Sequence, residues 1–342
     1  MPAAASMTQT FDIAVIGATG TVGETLVQIL EELNFPVGVL HLLAGSNSAG
    51  ASVPFRGKNV RVREVDEFDF SKAQLAFFAA GPAATLSFAP RATAAGCSVI
   101  DLSGALPADQ APQVVPEANA HVLEGLKAPF QLSSPSPSAT NLAVVLAPLR
   151  GLLDIQRVAV TANLAVSAQG REAVSELARQ TAELLNVRPL EPQFFDRQMA
   201  FNLLAQVGKP DAQGHTALEK RLVHELRAVL ETPLLKISAT CVQAPVFFGD
   251  SLTVSLQLGA PVDLAAVNRV LEAAPGIELV EEGDYPTAVG EAVGQDVVYV
   301  GRVRAGVDDP AELNLWLTSD NVRKGAALNA VQLAQLLIKG LV

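Results

Sequence analysis

Residues 11–33 read FDIAVIGATGTVGETLVQILEEL, and the fold turns on how that stretch is divided. FDIAVIG is a short apolar run bounded by glycine, the pattern of a buried strand. Beyond it Val22, Leu26, Ile29, Leu30 and Leu33 recur at helical spacing and give one apolar face. Between the two segments lie Gly17, Gly20 and Gly23 in GATGTVG. Glycines let a backbone turn tightly and approach a pyrophosphate, and a helix start offers unpaired N–H groups and a positive dipole end. A tight strand–helix turn without a ligand has the same spacing. A second strand, VGVLHLLA at 37–44, completes a βαβ unit and favours a dinucleotide-site ancestry.

Outward from this unit the alternation continues through LAFFAAG, the helical AATLSFAPRATAAG and the strand CSVIDLS. That is a mostly parallel sheet wrapped by helices. The texture then changes. IQRVAVTANLAVSA and LLKISATCVQAPVF read as strands around a helix, REAVSELARQTAELLN. LTVSLQLGAP alternates apolar and polar residues, as an antiparallel strand with one solvated face does. A helix, DLAAVNRVLEAA, and a strand, DVVYVGRVRAG, follow, and the amphipathic KGAALNAVQLAQLLIKGL closes the chain. The expected division is a dinucleotide-binding domain over 1–136, an α+β domain on an antiparallel sheet over 137–318, and a helix at 319–342 that packs back on the first domain.

The 342 residues suffice for two cores, and a hydrophobic content of 49% describes a folded chain. No apolar run reaches bilayer length, so no membrane role is expected. A net charge of −11 repels a phosphate backbone, and no nucleic-acid partner is expected. The opening MPAAASMTQT has neither a basic nor an apolar targeting region and reads as an unstructured leader, so the expected location is cytoplasmic. Cys97 and Cys241 form no metal-ligand pattern; no metal is expected, and both read as small buried hydrophobes.

The cofactor-binding candidates are Gly17, Thr19, Gly20, Thr21, Val22 and Gly23, with Asn47 and Ser48 at the end of the second strand. That end, AGSNSAG, has no Asp or Glu for the ribose hydroxyls of NAD and no Lys or Arg for an NADP 2′-phosphate. The expectation is weak binding of NADP or NAD.

Seven stretches, taken together and in order, resemble the aspartate-semialdehyde dehydrogenase family over nearly the whole chain. They are GATGTVG, LLAGSNSAG, VIDLSGALPAD, VVPEAN, SPSPSATNL, ATCVQAPVFFGDS and SDNVRKGAALNAVQ. The resemblance implies a Rossmann-type NADP-binding domain and an α+β dimerisation domain with a mixed or antiparallel sheet. It also implies a homodimer, and oxidation of aspartate semialdehyde to aspartyl phosphate through a cysteine thioester.

This chain departs from the family where the chemistry lies. The family's N-P-N-C loop corresponds to Ser134, Pro135 and Ser136, and the nucleophile position falls on Pro137. Ser136 suits an N-cap and Pro137 the first helical position, where a missing N–H costs nothing. The family's histidine base corresponds to Asp250, and its carboxylate-binding arginine to Gln243. Pro107 takes the phosphate-arginine position, Leu164 the active-site glutamine and Leu218 the substrate glutamate, while Arg221 keeps a lysine's charge. Removing such a nucleophile or its base costs on the order of 10⁶ in rate. No catalytic residue of the family's kind is therefore expected. Two substitutes deserve weight: the hydroxyls of Ser136 and Ser138, read as capping groups, and Asp250, read as a strand-end turn residue. Arg323 and Lys324 are open to an anion or to a structural role.

The reading that follows is a degenerate, non-catalytic paralogue of the Usg type, with nucleotide binding and an unidentified protein partner left open. The alternative is an oxidoreductase acting on an aldehyde or oxo group with NAD(P), either with altered chemistry or with residual activity of the family's kind in amino-acid biosynthesis.

Overall fold

The computed structural model describes residues 9–340; residues 1–8 of the leader and the last two residues of the closing helix lie outside the described residues. The chain divides into two compact units. Met1–Pro112, Leu123–Ser134 and Ala330–Val342 form the first, and Gln113–Val122 and Pro135–Asn329 the second.

The first unit is built on β1 (Phe11–Ile16), α1 (Thr21–Glu32), β2 (Val37–Ala44), β3 (Ser52–Phe55), β4 (Lys58–Glu64), β5 (Leu75–Phe78), α2 (Pro82–Ala94), β6 (Ser98–Asp101) and, after α3 (Pro116–Asn119) of the second unit, β7 (Gln131–Ser133). Its sheet runs β3-β4-β2-β1-β5-β6-β7. Every pairing is parallel except the β3–β4 hairpin. Central strands β5 and β6 are buried at every position, as strands covered on both faces are. In α1 the buried face is Gly23, Leu26, Val27, Ile29 and Leu30. Leu33, expected on that face, is 36% exposed because it lies past the last turn as the C-cap.

Two glycines make the β1–α1 turn possible. Gly17 has φ +85°, and a Cβ there would meet the Ala79 carbonyl oxygen at 2.8 Å; a Cβ on Gly23 would sit 2.1 Å from the Gly17 oxygen.

The second unit contains α3, α4 (Pro137–Leu149), β8 (Ile155–Leu164), α5 (Arg171–Leu185), α6 (Ala217–Val229), β9 (Lys236–Gln243), β10 (Asp250–Leu258), α7 (Leu264–Ala273), β11 (Ile277–Leu279), β12 (Val298–Ala305) and β13 (Glu312–Ser319). Its sheet runs β11-β12-β13-β10-β8-β9. The centre is antiparallel, but β8–β9 and β11–β12 are parallel, so the sheet is mixed, one of the two forms that the resemblance implies. The β8–β9 connection carries α5 and α6, the long crossover a parallel pair requires. Leu252, Val254 and Leu256 of β10 share one core with Leu142, Val145 and Leu146 of α4 and Leu222 and Leu226 of α6. Helix α4 is buried from Ser138 to Leu146, which explains its lack of a polar face.

The closing helix is not uniform: Arg323–Leu328 is a wider π-helical turn, after which α8 (Asn329–Gly340) is regular.

Candidate functional site

At the β1–α1 turn, Ala18 N donates to Leu43 O, Gly20 N to Gly17 O and Glu24 N to Gly20 O. Among the described residues, the N–H groups of Thr21, Val22 and Gly23 meet no acceptor. These are the donors that a helix start presents to a phosphate. The packing explains why Gly17 and Gly23 are glycine; the free N–H groups fit a diphosphate. Asn47 and Ser48 lie on a single 3₁₀ turn, Ser46–Ser48, after β2. None of that turn's residues is charged.

Pro107 also belongs to the first unit. It follows a loop tied to Asp101, a fully buried carboxylate that accepts from Ser103 N, Ser103 Oγ, Ala105 N, Leu106 N and Thr85 Oγ1. Nothing in the residue spacing around Asp101 announces this.

In the second unit Ser136 is the N-cap of α4 and Pro137 its first residue. A Cβ on Gly325 would lie 2.6 Å from Pro137 Cβ, so the π turn packs directly on the proline. The Ser136 hydroxyl makes no capping bond to α4, which corrects the capping expectation. It donates instead to Glu225 Oε2 at 2.5 Å, and Ser136 N donates to the same oxygen at 2.8 Å. Glu225 is 1% exposed, and its other oxygen accepts from Arg221 Nε at 2.7 Å. The hydroxyl donates its proton to this buried carboxylate of α6, and its oxygen accepts from no N–H of α4. Glu225 escaped the sequence reading; its i,i+4 spacing from Arg221 was the available signal. Leu218, a turn before Arg221, is half-buried against the main core.

Leu164, Gln243 and Asp250 come together at the ends of β8, β9 and β10. Leu164 and Gln243 are register partners. Gln243 Nε2 donates to Leu164 O at 2.6 Å, and Gln243 Oε1 accepts from Gln169 Nε2. Both ends of this buried amide are thus satisfied within the chain. Gln243 and Gln169 border a cavity of about 820 Å³ that Phe194, Phe195, Leu203 and Lys209 also line. Asp250 Oδ1 accepts from Ala165 N at 2.9 Å, which makes the aspartate a clasp on the β8 end. Burial pushes its carboxyl up to about 7, with the Ala165 N–H acting the other way and Asp320 adding to the rise.

The remaining candidates take structural places. Lys324 is fully buried in an ion pair with Glu117, and Arg323 pairs with Asp296 at 2.5 Å. His41 packs at a tilt against Phe68, and His121 pairs with Glu231 at the surface. Burial pushes the Cys97 and Cys241 thiols up to about 12, so neither is a thiolate near neutral pH. Among the described residues no His, Cys, Asp and Glu group could hold a metal ion, and no helix is long and apolar enough to cross a membrane.

Two family profiles match. Residues 12–126 match "Semialdehyde dehydrogenase, NAD binding domain", and residues 146–324 match "Semialdehyde dehydrogenase, dimerisation domain". The chain belongs to the aspartate-semialdehyde dehydrogenase family. It is 60% identical over 333 residues to a USG-1 protein homolog of Pseudomonas aeruginosa, across 97% of this chain and 99% of that one. It is 42% identical over 335 residues to the aspartate-semialdehyde dehydrogenase of Shewanella violacea, with the same coverage. Among solved structures, a probable aspartate-semialdehyde dehydrogenase from Pseudomonas aeruginosa superposes with a TM-score of 0.96 at 59% identity, covering 98% of this chain and 100% of that one. Aspartate semialdehyde dehydrogenase II of Vibrio cholerae, solved as a complex with ASA, gives 0.94 at 40% identity, covering 97% and 99%. The Rossmann-type unit and the dimerisation domain are therefore features of the aspartate-semialdehyde dehydrogenase fold, and the first unit is an NAD(P)-binding domain by family.

Proposed function

We propose that this chain is a paralogue in which the covalent dehydrogenase chemistry of the aspartate-semialdehyde dehydrogenases has been lost, while a dinucleotide-binding fold and a homodimeric assembly are kept. The observation that carries the reading is Pro137 at the first position of α4, with the π turn packed against it. A proline has no group that can attack an aldehyde. The neighbouring positions support it. Gln243 has no charge for a substrate carboxylate and directs both ends of its amide into the chain. Asp250 holds a backbone N–H where the family's histidine would exchange a proton with the cysteine.

Bound NADP or NAD would supply hydride chemistry. In this chain the N–H groups of Thr21, Val22 and Gly23 would hold the diphosphate, with Gly17, Thr19 and Gly20 shaping the turn and Asn47 and Ser48 facing the ribose end. Without a cation at that end, NADP is expected to bind no better than NAD, and weakly.

The test is NADPH formation from aspartate semialdehyde and phosphate. No turnover above a blank is expected; turnover that survives repurification overturns the reading.

A second reading, hydride transfer to an aldehyde or oxo group without a covalent intermediate, draws on the free N–H groups at the α1 start. Titration with NADP(H) and NAD(H) separates the two. Micromolar or tighter binding favours the second reading, and millimolar binding the first.

A further inference from the structure

We propose that the second unit binds a free α-amino acid with an apolar side chain, in a cleft at the β11–β12 edge of its sheet. That edge is opposite to β9, which carries Gln243, so the site is separate from the positions of the family's chemistry.

The cleft has a volume of about 700 Å³, within the range of small-molecule sites. Helix α7 lines it with Leu264 and Asn268, the turn at 281–284 lines it next, and β12 contributes Arg302, Val303 and Arg304. Strand β11 ends at Leu279, where it pairs with Val300. Past that point, among the described residues, no strand covers the outer edge of β12. The register of β12 on β13 also shifts between Gly301 and Arg304. Arg302 takes up this bulge with φ +56°, a left-handed conformation that residues other than glycine rarely adopt. Bulges re-aim side chains, and both arginines here border the cleft.

The turn at 281–284 is held at both ends. Val280 N donates to Val300 O at 2.8 Å, and Trp316 Nε1 donates to Pro286 O at 2.8 Å. Pro286 also packs on Gly301, where a Cβ would lie 2.5 Å from the proline Cδ. Asp284 N closes the turn on Glu281 O at 3.1 Å. The wall is thus built without a ligand's help.

Both signs of charge line this one space. Arg302 and Arg304 border it together with Glu272, Glu281, Glu282 and Asp284. Arg304 Nη1 donates to the Arg302 carbonyl at 2.8 Å, and among the described residues neither guanidinium meets a carboxylate. Opposite charges that share a cleft and stay apart suit a ligand that carries both. An α-amino acid does: a guanidinium fork matches its carboxylate, and the acidic side chains match its ammonium. The terminus of a peptide carries only one of the two charges. Asn268 points the same way independently. Its side-chain oxygen is buried without a donor, so turning it toward a ligand's ammonium breaks no bond. Leu264, Leu279, Val280 and Val303, all partly buried, supply apolar surface for the side chain.

The full-length protein would be titrated calorimetrically with L-phenylalanine and with L-leucine. Saturable binding of one molecule per chain, at millimolar concentration or below, is expected for at least one of them. Analogues that lack one charge should bind at least roughly 10-fold more weakly than their parent. These are 3-phenylpropionate and phenethylamine for phenylalanine, and 4-methylpentanoate and isopentylamine for leucine. Arg302→Gln combined with Arg304→Gln should weaken the amino acid by a similar factor while leaving the amine's affinity unchanged, a pattern that lost folding would not give. Glu281→Gln combined with Glu282→Gln, on a separate segment, should weaken the amino acid and spare the carboxylate analogue. No binding by the wild type, a single-charge analogue that binds as tightly as its parent, or an unchanged affinity in either folded variant overturns the proposal. None of these outcomes bears on NADPH formation.

Discussion

A carboxyl group at position 250 is placed where ionisation is expensive. Asp250 is 1% exposed, and its pKa is raised from 3.8 to about 7 chiefly by burial. The native state therefore binds a proton that the unfolded chain releases. The stability Asp250 contributes is fully present below about pH 4, falls as the pH rises and is gone above about pH 7. Asp250→Asn keeps an oxygen for the Ala165 N–H and cannot ionise. The variant should match the wild type near pH 4 and exceed it at pH 8, by on the order of 4 kcal/mol. Urea denaturation at the two pH values measures this, and parallel pH curves would contradict it. The neighbouring prediction concerns Pro137→Cys. A thiol at a helix start gains from the dipole and should react with an alkylating probe. NADPH formation should nevertheless stay at the blank, because Gln243 and Asp250 supply neither the charge nor the imidazole. A rate near that of a cysteine-bearing family member would mean that these two positions were assigned wrong roles.

Elements are where the sequence was most legible, and their junctions where it was least. Strand β1, the glycine turn and α1 were readable because burial pattern and turn chemistry are local. Pro137 at the start of α4 was readable for the same reason. The partners of the site were not. Ser136 meets Glu225 across 89 positions, and Gln243 meets Gln169 across 74. No spacing rule encodes such a meeting, since it depends on how α6 and β9 settle against α4 and β8. The mixed sheet was legible only through the family resemblance, because alternation shows which face of a strand is solvated but not the direction of its neighbour. Lys324 and Glu117 form another such junction, joining α3 to the π turn. Lys324 is fully buried, so Lys324→Met leaves Glu117 with an uncompensated charge and should destabilise the protein by about 3–5 kcal/mol. Adding Glu117→Leu should recover much of that loss. Chemical denaturation of the single and double variants tests it, and a single variant as stable as the wild type would remove the pair from the stabilising interactions.

For the whole molecule, the question is what covers the second unit's sheet. The strands turn their apolar residues inward, onto α4, α6 and α7. The other face carries Thr253, Ser255, Gln257 and Asn314, with Trp316 half-buried among them. Interfaces with this texture are held by an aromatic anchor within a hydrogen-bonding surround. The match of residues 146–324 to a dimerisation domain directs attention to the same sheet. A homodimer is therefore expected at micromolar concentration, with twice the 35.7 kDa chain mass by light scattering. Trp316 is the chain's sole tryptophan, so its emission reports on this face directly. Dilution through the dissociation range should shift that emission to the red as water reaches the ring. Trp316→Ala should weaken association by at least roughly 30-fold, the scale of an interfacial anchor. A monomeric wild type would count against the homodimer. A Trp316→Ala variant that stays dimeric on dilution would leave the homodimer standing and move its interface to another surface.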